Sequence, residues 1–476
     1  MYKSNFKNIK LHVLKNLHLY LICLNFLFIL SGFYPGYMSI DSLYQYQQSK
    51  TMEFTDHHPP VMAGIWSLLN YIFSGPQGLL FFHLILFWSS ILILFENLRN
   101  KHSAIIVIFI CYLPWILNFI GVLWKDVGMA FSLLLFFSLS LKKLEGSFIK
   151  KILKISTMFL LIFYSLSVRH NAFFAVIPIL FYTINKWYPE LLIRKSIIYC
   201  LGIVAILVTL NHIFTYKIIH ASKQNSYRGT MVDDLSYLSI NTGKSLLPNV
   251  SFEDLKECSK IYIIESQLHL KDFCLKDKKT YKENSPFLNN SLNAVWIHEV
   301  MKHPYEILYF RLSIFSYFLR SPVNSPIYIW HNGISEHQEL NKEKLKREDT
   351  LTSLIIEKFV LGSAKLLPFL YKPYWWLWLN SFLYLIYFTS YKKQIEFEAL
   401  LASSTFYILG YLPLSPAADF RYIYWSVLAT TISIIFLWES RKKDSFVSLL
   451  NTKKKYFGMF IIFSIILLNF NILFNV

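Results

Sequence analysis

Charge is scarce in this chain. Of 476 residues only 16% are Asp, Glu, Lys or Arg, against about a quarter in ordinary soluble domains. That excludes a typical water-facing globular protein. Cysteine is scarcer still, at five, with no CxxC and no Cys/His pattern of metal spacing. Zinc fingers and ribbons are therefore excluded. Cys23, Cys111 and Cys200 sit inside apolar runs and read as small buried side chains. No internal repeat and no low-complexity linker is visible, which speaks against a transporter built from inverted repeats. No small-residue cleavage site follows the opening "MYKSNFKNIKLHVLKN" and its apolar continuation. The expectation is an uncleaved signal anchor. No nucleic-acid recognition motif accompanies the net charge of +18, so no nucleic acid is expected as a partner.

What the chain has in excess is apolar surface: 54% hydrophobic and 18% aromatic residues. Apolar runs approaching twenty residues recur, each long enough to cross a hydrocarbon core of roughly 30 Å as a helix. Window hydropathy places them at 17–37, 77–98, 103–123, 127–141, 152–168, 172–184, 197–216, 374–390, 397–412, 422–438 and 456–474. The fold class expected is an all-α polytopic membrane protein of about 11 transmembrane helices.

Lysine and arginine sort these spans. With the N-terminus cytoplasmic, the inner loops hold the basic stretches 99–101, 142–151, 185–195, 391–393 and 439–455. The short outer loops keep only Lys50, Lys125, Arg169 and Arg421. This asymmetry predicts an inner-membrane protein with its C-terminus outside. Three parts follow: an N-terminal transmembrane module (1–216), an outer loop (217–373) and C-terminal transmembrane helices (374–476). The outer loop carries a helical stretch capped at Ser251 and aromatic-rich helices over 289–321 that read as interfacial. The segment 61–73, too short to span, reads the same way. Cys258 and Cys274 both lie in this outer loop, where an oxidising space predicts a disulfide.

The unusual polar clusters nearly all fall on the outer side. They are "YPGYMSIDSLYQYQQ" with Asp41, "DHHPP" with Asp56, His57 and His58, "LWKDVG" with Lys125 and Asp126, "SVRHNAFF" with Arg169 and His170, and "SPAADFRYIYW" with Asp419 and Arg421. Each has a plain structural reading. Asp41, Asp56 and Asp126 suit helix N-caps, with Pro59 and Pro60 in a first turn. Lys125 and Arg169 suit helix C-termini, and Arg421 can snorkel. His170 suits a hydrogen-bonded interface. Charged groups at membrane depth nevertheless mark sites, and five clusters on one face favour a shared one.

Together these motifs resemble the GT-C class of integral membrane glycosyltransferases. An acidic pair in the first outer loop, Asp41 and Asp56, precedes the "HPP"-like continuation. "WKD" opening a span, "RHNA", "KHPYEILYFR" in the late outer loop and "DFRYIYW" extend the likeness. The length and the single long outer loop are also similar to bacterial transferases that decorate O-antigen. The resemblance implies a polyprenyl-phosphate sugar donor and a glycan or lipid-linked acceptor, handled on the extracytoplasmic face beside membrane lipid. It implies Asp41 as general base with Asp56 second. His57, His58, Lys125, Asp126, Arg169, His170 and Arg421 would bind substrate. Asp56 and His57 would hold a divalent cation, Mg or Mn, in the metal-dependent variant. Trp66, Trp124, Tyr422 and Trp425 suit sugar faces or an interfacial aromatic belt. The alternatives are an O-antigen ligase or polymerase, which needs no acidic pair in the first outer loop, and a transporter or flippase.

Overall fold

A computed structural model describes residues 16–262, 291–390, 393–413, 417–439 and 454–470. These residues form α-helices, short 3-10 and π turns and isolated bridges, with no strand among them. In chain order the helices are α1 (Leu17–Phe33), α2 (Ile40–Thr51), α3 (Pro60–Leu69), α4 (Gln77–Asn97) and α5 (Lys101–Ile108). Then come α6 (Pro114–Leu117), α7 (Lys125–Ser140), α8 (Phe148–Val168), α9 (Phe173–Trp187) and α10 (Ile193–Ile213). The middle of the chain gives α11 (Arg228–Thr242), α12 (Phe252–Tyr262), α13 (Leu292–Lys302), α14 (Pro304–Leu319) and α15 (Leu351–Leu366). The last are α16 (Pro373–Ser390), α17 (Ile395–Leu409), α18 (Tyr424–Glu439) and α19 (Lys454–Leu468).

Among the described residues, four segments are long and apolar enough to cross a membrane: Gln77–Asn97, Phe148–Val168, Ile193–Ile218 and Phe420–Glu439. Several shorter apolar helices accompany them, among them Leu17–Phe33 and Phe457–Leu468. The outward faces of α8 and α10 present Leu153, Leu160, Ile198 and Leu201 to the surroundings, each more than half exposed. An apolar belt of that size suits lipid and not water.

One expected span is not a continuous helix. The run over 103–123 divides into α5, a 3-10 turn at Ile110–Tyr112, and α6 beginning at Pro114. Proline has no N–H to continue the ladder, and its ring collides with the carbonyl four residues earlier. Residues 118–124 then run non-helically to the start of α7. Two helices, α11 and α15, fall in the 217–373 segment where hydropathy marked none.

Neighbouring helices α4, α7 and α8 pack in sequence, and α9, α17 and α18 form a second group. Polar side chains join helices where no water can. Ser403 donates to the Ala175 carbonyl at 2.6 Å and accepts from Trp425 Nε1 at 2.9 Å. Asn380 bridges Ser404 at 2.8 Å and Thr430 at 2.7 Å. Gly128 is required by proximity: a Cβ there would lie 2.6 Å from the Tyr164 hydroxyl and 2.8 Å from His83 Nε2.

The bundle has two chemically distinct ends. At one, Lys186 meets Glu396 at 2.7 Å, Lys142 meets Glu96 at 3.4 Å, and Glu439 accepts from the Asn100 amide at 3.0 Å. At the other lie the start of α7, the ends of α8 and α17, and the start of α18. All five polar clusters belong to that second end.

Candidate active site

A short extended link sets the first residue of the site. After α1, Gly36 turns the chain at φ +115°, a value open to glycine because a Cβ would press on Leu123. Tyr37 then exchanges hydrogen bonds with the Gly121 carbonyl and the Leu123 amide at 3.1 and 2.8 Å. Met38 does the same with Gly333 and Ser335 at 2.9 and 2.8 Å. Held between these two stretches, the chain enters α2 with Ser39 as N-cap and Asp41 in the first turn. Asp41 is thus no cap. The helix N-terminus still favours its negative charge. Trp124 Nε1 donates to Ser39 Oγ at 2.8 Å and Ser42 Oγ to the Leu123 carbonyl at 2.8 Å, which locks α2 to the start of α7.

From Asp41 a row of charges runs across the bundle end. Arg421 Nη1 lies 3.0 Å from Asp41 Oδ2, and Arg421 Nε donates to Asp419 Oδ2 at 3.0 Å. The guanidinium is packed by rings, 4.7 Å above Trp124, 5.2 Å from Tyr422 and 5.6 Å from Tyr328. On the other side, His58 Nε2 lies 3.8 Å from Asp41 Oδ1, and Lys125 Nζ donates to His58 Nδ1 at 3.2 Å. That bond requires a neutral imidazole with its proton on Nε2, facing Asp41.

The environment agrees with these charge states. Burial alone would raise the Asp41 carboxyl; Arg421 above all, with His58 and Lys125, outweighs burial and holds it well below the usual range. Burial, then the Lys125 cation, pushes His58 down to about 3. Burial raises Asp419, with Arg421 offsetting part of the rise. His170 is lowered by burial first and then by Lys125 and Arg169.

A second pair stands alongside. Arg169 Nε meets Asp126 Oδ1 at 3.1 Å. Arg169 also donates to the Tyr411 hydroxyl and lies 4.9 Å over the Tyr422 ring. Tyr422 therefore touches both guanidiniums. Lys125, Arg169 and His170 line a cavity of about 640 Å³ with Asn171 and Tyr411, within the usual range for small-ligand sites. Lys125 has no carboxylate within 4 Å among the described residues. Asp41 and Asp126 act on it only from beyond that distance.

Asp56 and His57 are placed differently. Asp56 accepts from the Tyr216 hydroxyl at 2.7 Å and from the Gln224 amide at 2.6 Å, one bond to each oxygen. Its own amide donates to the Ser222 carbonyl at 3.0 Å. His57 Nδ1 contacts Ser226 Oγ at 3.0 Å. Both residues pin the first loop to the segment after α10. Asp56 is also not the cap of α3, whose N-cap is Pro59. No group of three or more His, Cys, Asp or Glu that could hold a metal ion occurs among the described residues. Among the described residues no third carboxylate, imidazole or thiolate joins Asp56 and His57 to complete a set of metal ligands. Asp126, expected to bind substrate or cap its helix, is buried as the partner of Arg169.

Sequence reasoning missed Tyr328 and His331. They come from a loop before α15 that crosses the site: Tyr328 stacks toward Trp124 at 5.5 Å, and its hydroxyl meets His331 Nδ1 at 2.9 Å. Tyr328 has φ +53°, a strained value for an aromatic residue. Its only sequence signal was an aromatic and polar run, "IYIWHNG", inside a long loop.

Comparison with known proteins returns nothing: no family model, curated protein or solved structure matches this chain.

Proposed function

We propose that the chain is a membrane glycosyltransferase of GT-C type, moving a sugar from a polyprenyl-phosphate donor to a hydroxyl of a glycan or lipid-linked acceptor. In this reading about 11 segments span the inner membrane. The N-terminus is cytoplasmic, and the site and the 217–373 segment are extracytoplasmic. One observation carries it: a carboxylate, Asp41, tied through His58 to Lys125 on the wall of a cation-lined cavity.

Transfer needs three things, and the residues suit each. The acceptor hydroxyl loses its proton to the Asp41 carboxylate as its oxygen bonds to the anomeric carbon. The bond from that carbon to the phosphate oxygen breaks, and the electron pair leaves with the phosphate. Lys125 and Arg169 then neutralise the departing lipid phosphate, with Asn171 offering a further donor. Arg421, itself shared with Asp419, keeps Asp41 ionised and oriented at the start of α2. No step of this scheme is routed through a metal ion.

Incubating membranes that contain the protein with radiolabelled polyprenyl-phosphate sugars tests the reading. A labelled glycan or glycolipid, absent from control membranes, is the expected product. Uptake of the intact donor across reconstituted vesicles without bond cleavage would replace the transferase reading with a flippase.

A further inference from the structure

The cavity has a roof as well as a floor. Besides Lys125 and Arg169 it is lined by α11, α13 and α14 of the outer segment, through Tyr227, Thr230, Asp234, Trp296 and Arg311. This roof has its own apolar core of Val232, Leu235, Leu247, Leu255 and Leu292, so its shape does not depend on an occupant.

Its polar groups are built, not incidental. Asp234 is 1% exposed, and one oxygen takes Arg311 Nη2 at 2.6 Å while the other takes Trp296 Nε1 at 2.9 Å. Arg311 Nη2 also donates to the Thr230 carbonyl at 3.3 Å. Arg311 itself lines the cavity, together with Trp296. Apolar side chains would close a roof with less desolvation than a buried ion pair. A pair kept at a cavity wall therefore serves a polar occupant.

The charges divide the cavity. Asp234 cancels Arg311, so the roof is neutral, while on the floor Lys125 and Arg169 have Asp126 as their one carboxylate within 4 Å among the described residues. A phosphate belongs on the floor and an uncharged, hydroxyl-rich group beneath the roof. Trp296, its indole pinned at Nε1, presents a fixed ring, and a planar guanidinium stands next to it. An aromatic face for the C–H side of a pyranose and a planar donor for its hydroxyls together suit a carbohydrate. We infer that α11, α13 and α14 form the acceptor subsite, which binds a neutral sugar unit against Trp296 and Arg311. The inference rests on the transferase reading and assigns the half of the reaction which that reading leaves open.

The test separates the two. Purified protein receives a radiolabelled citronellyl-phosphate sugar together with the glycolipid fraction of its own membranes. Two products are counted, labelled glycolipid and labelled free sugar released to water. Trp296→Ala and Arg311→Gln should lower the ratio of glycolipid to free sugar by about tenfold or more, as loss of hydrogen-bonded recognition does. Trp296→Phe, which keeps an aromatic face and the fold, should recover most of the ratio. An unchanged ratio in both Trp296→Ala and Arg311→Gln would overturn the acceptor subsite. Failure of the wild-type protein to cleave any labelled donor overturns the transferase reading itself.

Discussion

Arg421 divides one guanidinium between two carboxylates, with Nη1 3.0 Å from Asp41 and Nε 3.0 Å from Asp419. Lysine has a single movable point charge and cannot hold both. Arg421→Lys should therefore lower transfer at least tenfold while membrane abundance holds. Arg421→Ala leaves two half-buried carboxylates without their shared cation and should cost about 1–3 kcal/mol of stability, solvent screening part of the penalty. Thermal unfolding in detergent, read beside the transfer rate, checks both. If neither substitution changes either quantity, Arg421 is only an anchor.

Stability should fall on acidification, and His58 should account for part of the fall. Its folded pKa is about 3, against about 6.5 when unfolded. Between those values the unfolded chain binds the extra proton and the folded one does not. The stabilisation is therefore complete above about 6.5 and lost as the pH drops, at about 1.4 kcal/mol per unit. Asp41, also depressed, adds its loss lower, below about 4. His58→Gln should flatten the melting temperature against pH between 6.5 and 4. A slope identical to wild type would mean that His58 titrates freely.

Asp56 should behave as a structural residue. Asp56→Asn keeps an acceptor for one of its two partners, Tyr216 or the Gln224 amide, and should cost about 1 kcal/mol. Its transfer rate per folded molecule should stay within a few-fold of wild type. A loss as deep as that of Asp41→Asn would restore Asp56 to the chemistry.

Cys258 is disulfide-bonded and buried in the roof core, while Cys23, Cys111 and Cys200 are free. The other cysteine of the expected pair, Cys274, lies outside the described residues. Cys258→Ser should lower stability by about 2–4 kcal/mol. Mass spectrometry of the non-reduced protein should find Cys258 protected from alkylation. A fully alkylated Cys258 would contradict the bond.

Orientation is tested by two exposed positions. Lys244→Cys should react with a membrane-impermeant maleimide in intact cells, and Lys195→Cys only after permeabilisation. The reverse pattern would put the site on the cytoplasmic side.

Much of this was legible because it follows from local chemistry. Hydropathy located α4 and α8 to within a few residues, since each is an uninterrupted apolar run. Charge scarcity picked out Lys125, Arg169 and Arg421, because a cation beside apolar helices needs a partner. Other features depend on contacts between distant segments. Asp41 and Asp56 look alike in sequence, yet α2 turns one toward Arg421 and Tyr216 takes the other. Asp234 and Arg311 are 77 residues apart (311 − 234) and meet only when α11 and α14 fold together. Tyr328 reaches the site because Met38 pairs with Gly333 and Ser335, a relation that no periodicity records. Pro114 was visible, but hydropathy averages over it and so reported one span where the chain breaks.

The most direct measurement is the rate of sugar transfer by Asp41→Asn, with labelled polyprenyl-phosphate donor and matched amounts of folded protein. Loss of a general base costs on the order of 10²–10⁴ in rate. The account predicts a fall in that range per folded molecule, with a melting temperature lowered by loss of the Arg421 pair. Transfer at the wild-type rate would contradict it.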